Sequence, residues 1–362
     1  GDHWSEYLVD PNLILQPGIG YAVYTHENLD VKYEGILCNS NTTVSLTSKN
    51  NDKWNLVGNP FTAPLSTKKL YEDIDGRIQG NAIFLFDREN LVYNPIIVDE
   101  NEEVMIPSLE SFFVEAIQDG REITFRRNHQ YIPKSGTGSL NNHNYLTLTA
   151  QIDGKSQYAL MGMIEGSDYG FDEYDAHKMF GISENMPEIY FVVDKEEVSV
   201  NTFPDYPAAF DVGMYIGTDD VVDIQLNNLS VLPSNVSVIL EDKQEGVFYD
   251  CCLPNKISVD LKSGTTSDRF KIYLNKAINL YEIHPDYSGI YLWSDDNRIM
   301  AYGDGIHQLN AVKVYDKNHN VIGEQEFDSN VLVFDKIEQK GRYTVDILVD
   351  GDWIKDFIIE IK

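Results

Sequence analysis

The chain has 362 residues, enough for two or three domains, and its 42% hydrophobic and 12% aromatic content supplies packed cores and excludes wholesale disorder. Its 28 Lys and Arg stand against 58 Asp and Glu, a net charge of −30 spread along the whole chain, which argues against nucleic-acid and peripheral membrane binding because such a field repels phosphates and anionic headgroups. No apolar run approaches the roughly 18–20 residues of a membrane helix, and the start at Gly1-Asp2-His3 instead of Met reads as a trimmed terminus, so the missing signal peptide does not argue for the cytoplasm.

In chain order, short segments with period-two alternation, rich in Val, Ile, Thr, Tyr and Phe, predict strands over Gly20–Tyr24, Asn81–Phe86, Ser111–Ala116, Val236–Leu240, Arg269–Leu274 and Lys313–Tyr315. Trp54 and Leu56 alternate with Asn55 and Val57, which puts the indole on a core face, and Gly58-Asn59-Pro60 ends that strand in a defined turn. The best helix candidate, Tyr174–Phe180, is only about two turns long. The polar, glycine-rich stretch Lys134–Asn142 and the break near Asn275–Tyr281 predict three segments: an N-terminal β-sandwich over 1–136, a second over 137–277, and a small immunoglobulin-like sandwich over 278–362. In the last of these, Val312–Gly323 reads as strand, polar turn, strand, and Asp350-Gly351 closes a hairpin between Gly341–Val349 and Trp353–Ile361. The expected class is all-β, with tandem jelly-roll or immunoglobulin-like sandwiches and very little helix.

Several strings resemble, in the same order, elements of secreted and cell-surface β-proteins of Bacteroidetes-type bacteria, many of them exported by the type IX pathway. Leu15–Tyr21 is similar to their "PGkGY" element, Tyr33-Glu34-Gly35 to the "F-x-G" strand, and Asp52–Phe61 to "GWNLVGNPYP". Ile106–Val114 is similar to "IxxGQGFFV", with Ser108 and Glu110 where glycines are usual. Asp168–Lys178 resembles "FDxxYDAxK", and Leu240–Lys243 followed by Asp268–Phe270 resembles "LEDK…DRF". From Gly289 on, the chain resembles the small closing sandwich that serves many such proteins as a sorting signal. Its usual "YDxxGr" turn is Asp316–Asn320 without the glycine, which puts a working signal in doubt more than the fold, while Gly341-Arg342-Tyr343 fits the late "G-x-Y" strand. The resemblance spans roughly residues 15–275 and this tail. It implies an extracellular or outer-membrane-associated location, reached through the periplasm, and a non-catalytic role.

Chemistry is sparse. Asp168, Asp172, Glu173 and Asp175 form the densest ligand-like set, yet the spacing is not that of an EF-hand and the interleaved aromatics favour a solvated acidic loop over a calcium cup. Asp316–Asn320 opens like an EF-hand loop but puts Val321 where glycine is needed and Phe327 where glutamate is needed, so it reads as a turn. There is no G-x-S-x-G elbow, no H-E-x-x-H (His26-Glu27 lacks its second histidine), no nucleotide fingerprint and no zinc spacing. Histidines 3, 26, 129, 143, 177, 284, 307 and 319 are scattered beside turn residues and read as solvated. Cys38, Cys251 and Cys252 predict buried or half-buried thiols without a disulfide framework. Arg269 is expected to pair with Glu241 or Asp242. Tyr287, Tyr291, Trp293 and Tyr302, around the turn Asp295–Arg298, form either a core face or an aromatic sugar platform, the core being preferred.

The reading is therefore a non-enzymatic, secreted or surface-displayed protein of adhesion, scaffolding or display. It has no catalytic, metal or cofactor residues and no cofactor, and its partners are surface glycans or other surface proteins. The alternatives are a carbohydrate-binding protein or the accessory region of a larger secreted hydrolase.

Overall fold

The computed structural model describes residues 14–22, 34–49, 52–131, 144–183, 186–253, 256–276, 290–303 and 307–361. The chain is nearly all β, with a single α-helix, Thr67–Ile74, among the described residues. The predicted strands Asn81–Phe86, Ser111–Ala116, Val236–Leu240, Arg269–Leu274 and Lys313–Tyr315 all lie within observed strands. The segment Gly20–Tyr24 does not: residues 20–22 carry no strand and the rest lies outside the described residues. The linker Lys134–Asn142 and residues 277–281 of the second break also lie outside them.

The helix was expected elsewhere. Tyr174–Phe180 instead contains the two-residue strand Ala176–His177, which follows a turn at Glu173-Tyr174, because Ala176 pairs with Val200 and His177 with Val198 along a neighbouring strand. The helix that does form begins at Ser66, whose hydroxyl accepts a hydrogen bond from Lys69 N at 3.2 Å, and it buries Leu70 and Ile74 at helical spacing.

Contacts divide the chain into two compact units, the first comprising 1–204, 212–231 and 256–267, the second 205–211, 232–255 and 268–362. In the first unit, strands Trp54–Gly58, Ser111–Ala116, Ile78–Asp87 and Val92–Ile97 form one sheet in that order. Both of its faces are covered. Val57, Ile83, Phe112 and Val114 pack into one cluster with Leu70, Ile74 and Phe125, while Phe84, Tyr93 and Ile97 pack with Leu160, Ala176 and Val200 of a second sheet. Trp54 lies on the second face, edge-on to Phe84 with ring centroids 5.1 Å apart, the core role its alternation predicts. That second sheet orders Glu188–Val193, Glu196–Phe203, Lys155–Met163, Leu146–Ile152, Asp220–Asn227 and Ile257–Leu261. Lys155–Met163 and Glu196–Phe203 are parallel, whereas Lys155–Met163 with Leu146–Ile152, Glu188–Val193 with Glu196–Phe203, and Asp220–Asn227 with both Leu146–Ile152 and Ile257–Leu261 are antiparallel.

The second unit contains Val247–Asp250 paired with Val236–Asp242, which pairs with Gly264–Lys276. Its C-terminal part holds a three-stranded sheet (Ile290–Asp295, Arg298–Gly303, Val331–Phe334) and a four-stranded one (Val321–Ser329, Leu309–Tyr315, Gly341–Val349, Asp352–Ile361). Residues of both sheets share one core, Ile299, Leu332 and Phe334 with Val314, Val345 and Ile359. Both predicted hairpins are present. At the first, Asp316 Oδ1 accepts from Asn318 N and Asn320 N, both at 2.8 Å; at the second, Asp350 and Gly351 take the left-handed backbone conformation of a tight hairpin turn.

Candidate binding surface

The acidic cluster lies in the connection between Lys155–Met163 and Glu188–Val193, and three of its carboxylates, those of Asp168, Asp172 and Asp175, face backbone N–H groups. Asp172 Oδ2 accepts from Asp168 N at 2.6 Å and its Oδ1 from Tyr174 N at 2.8 Å. Asp175 is fully buried; its Oδ2 accepts from Asp172 N at 3.0 Å and its Oδ1 from Thr202 N at 2.7 Å and Thr202 Oγ1 at 3.0 Å. Burial raises its pKa to about 6 against the pull of those donors. Asp194, from the turn between Glu188–Val193 and Glu196–Phe203, accepts from Phe171 N at 3.0 Å. A side chain at Gly170 would meet that carboxylate at 2.4 Å. The loop is also bonded to the first sheet, where Gly80 N donates to Glu173 O at 3.1 Å and Gln79 Nε2 to Asp172 O at 2.7 Å.

The solvated acidic loop expected from composition is thus corrected at Asp175, which holds the loop from within. Asp168, Asp172 and Asp175 are engaged by N–H donors, the geometry of a braced turn, while Glu173 is exposed, and no group of three or more metal-ligating side chains occurs among the described residues.

What the brace presents outward is apolar. Tyr169, Tyr174, Phe180 and Ile182 are exposed, and Phe180, Gly181, Ile182 and Ser183 line, with Tyr215, a shallow depression of about 280 Å³. Beneath it the Lys178 ammonium is completely buried, 2.5 Å from Glu188 Oε2, while Glu188 Oε1 accepts from Gly181 N at 2.6 Å. Burial lowers the Lys178 pKa despite that partner. Phe180 and Ile182 carried no motif; their signal was two large apolar residues flanking a glycine in a polar stretch.

Three histidines expected to be solvated, His129, His177 and His307, are not. His129 is buried, with Nδ1 accepting from Arg126 N at 3.1 Å and Nε2 3.4 Å from Asp73. His177 is mostly buried between Glu115 and Glu196. His307 meets Asp350 at 2.8 Å and His319 stacks on Tyr315; histidines 3, 26, 143 and 284 lie outside the described residues. Cys251 is buried, Cys38 and Cys252 are half-buried, and all three are free.

In the second unit, Tyr291, Trp293 and Tyr302 are buried around Tyr273 and Met300, which fits the core reading and removes these three from the sugar platform; Tyr287 lies outside the described residues. Around them a charged network closes on itself. Arg298 reaches Glu241 at 2.5 Å and Asp295 at 3.0 Å, Lys271 reaches Asp295 at 2.6 Å, and the single Tyr273 O–H lies between the two carboxylates, 2.7 Å from Glu241 and 2.9 Å from Asp295. The pairing expected for Arg269 is with Asp242, at 2.6 and 2.9 Å. Asp242 is pushed up by burial but pulled further down by Arg269, ending below the usual carboxylate range. Desolvation beside Asp295 and Glu241 raises the Tyr273 phenol far above its ordinary pKa, the opposite of what a phenolate base requires. An outward-facing aromatic occurs at Trp353 instead, on the four-stranded sheet, with the Lys313 ammonium 5.9 Å from its ring and ion-paired to Glu324 at 2.8 Å.

No family model and no curated protein matches the sequence. Among solved structures, a polysaccharide lyase is similar at 10% identity over 63% of this chain with a TM-score of 0.16, and this chain spans 42% of that one. No helix among the described residues is long and apolar enough to cross a membrane.

Proposed function

We propose that this chain is a non-enzymatic, secreted or surface-displayed protein of tandem sandwich-type β-domains, of the Bacteroidetes kind its motifs resemble, and that it works by contact in adhesion, scaffolding or display. The observation that supports this best is the loop over 164–183: its Asp168, Asp172 and Asp175 carboxylates are engaged with backbone donors, and Tyr169, Tyr174, Phe180 and Ile182 are exposed on that braced frame. Aromatic groups on a preordered loop lose little conformational freedom on binding, which is what a contact surface needs. The closed charge network around Arg298, Glu241, Asp295 and Lys271 stabilises the sheet it sits on.

Carbohydrate is the second reading, favoured by the outward Trp353 beside Lys313 and Glu324, an apolar ring flanked by polar groups. A glycan array separates the two readings. Binding to one glycan class that is weakened by Trp353→Ala supports sugar recognition, and a blank array supports protein contacts. Turnover of a peptide or glycan panel, abolished by substitution of a single carboxylate, overturns the non-enzymatic reading.

A further inference from the structure

We propose that Lys178 and Glu188 are a self-modification site: the Nζ amine adds to the Glu188 carboxyl carbon with loss of one water, and the resulting amide fastens the segment carrying Phe180 and Ile182 to the head of strand Glu188–Val193. Lys178 Nζ lies 2.5 Å from Glu188 Oε2, the two side chains are 0% and 3% exposed, and neither atom has a hydrogen-bond partner. An approach this close without hydrogen-bond alignment sets the amine against the carboxyl group itself. Backbone anchors hold both ends: Lys178 N donates to Glu197 O at 2.7 Å, and Ile189 N donates to Gln157 Oε1 at 2.8 Å. The Phe180 ring centroid lies 5.6 Å from Nζ and the ring stands edge-on to Tyr190, so aromatic rings border the amine.

The step balances without a co-reactant. The ammonium gives one proton to Oε2, which leaves a neutral amine beside a neutral carboxyl group, and the burial that lowers the Lys178 pKa favours the amine. The Nζ lone pair forms the bond to Cδ, and negative charge develops on Oε1, which already accepts from Gly181 N at 2.6 Å, the position of an oxyanion donor. Nζ passes a second proton to the Oε2 hydroxyl, the Oε1 electron pair re-forms the carbonyl, and the Cδ–Oε2 bond breaks with its electrons going to the departing water. Nζ keeps one N–H, and nothing is oxidised or reduced. In dilute solution water opposes amide formation, but groups held in contact act at effective concentrations of about 10⁵–10⁸ M. The product also replaces a buried ion pair, whose desolvation is costly, with a neutral amide. The bond lies beneath the proposed contact surface but is measured without any ligand, so it fails or stands apart from that function.

The test is the mass of the full chain, incubated folded until its mass is constant and then denatured. Wild type is expected one water below its sequence mass. Trypsin, which does not cut after an acylated lysine, is expected to release residues 156–195 as a single peptide one water light, and chymotryptic cutting beside Phe180 to leave the two pieces joined. Lys178→Met and Glu188→Ala are each expected at their full sequence mass, while wild type alone decides the question if either variant does not fold. A wild-type chain at its full sequence mass, or a water loss that maps to Glu197 or to any residues other than Lys178 and Glu188, overturns the proposal.

Discussion

At the scale of single residues, Asp175 and Arg298 decide most. Asp175 has a folded pKa of about 6 against an ordinary 3.8, so its protonated form is the one the fold prefers. The unfolded chain releases this proton first as pH rises, and stability falls between those two values and stays lower above them, by about 3 kcal/mol at 1.36 kcal/mol per unit. Asp175→Asn, which keeps an acceptor for Thr202 and loses the one for Asp172 N, is expected to flatten this decline in urea unfolding followed from about pH 4 to 7. Arg298→Ala leaves buried Glu241 facing Tyr273 without its cation and is expected to cost about 3 kcal/mol in the second unit, read by urea unfolding. Glu241→Gln in the same background is expected to restore part of that loss, because it removes the stranded charge.

At the scale of elements, the brace and the helix make separable predictions. Gly80 has φ +60°, and a Cβ there would meet Asp175 O at 2.7 Å, so Gly80→Ala is expected to cost more than about 1 kcal/mol and to loosen the loop amides in exchange. Ser66→Ala removes the cap of the one described helix and is expected to cost about 1 kcal/mol without changing loop exchange. Local pattern made much of the element level legible: alternation located Ser111–Ala116 to the residue, Asp350-Gly351 marked its hairpin, and Arg269 was assigned to an acidic pair that includes its partner. Ala176–His177 was misread as helix because Ala, Lys and Met favour helices, while the pairing with Val200 and Val198 that overrides them comes from a strand more than twenty residues away. The brace was illegible for the same reason. Glu115 and His177, or Gly80 and Glu173, are distant in sequence and meet only once two sheets pack through Phe84, Leu160 and Val200. The acidic cluster itself stood out in composition, but which of its members is buried depends on Thr202.

At the scale of the molecule, the two units are expected to respond to pH in opposite senses. The first weakens as pH rises through about 6, where Asp175 ionises. In the second, Asp242 and Asp295 are held below the usual carboxylate range by Arg269 and by Lys271 with Arg298, burial opposing both, so their stabilisation is present at neutral pH and is lost as pH falls through those lowered values. Unit-specific probes, Trp293 for the second and loop amides for the first, are expected to show midpoints that diverge as pH changes. With a net charge of −30, added salt is expected to raise the thermal midpoint by screening self-repulsion.

Contact through the braced aromatic loop is tested most directly by retention of the purified chain on an immobilised outer-membrane extract of a Bacteroidetes bacterium, with a Tyr169→Ser, Tyr174→Ser, Phe180→Ser variant run beside it and its folding checked by circular dichroism. The account predicts that wild type is retained and that the folded variant is not. Equal retention of the two, or retention of neither, contradicts it.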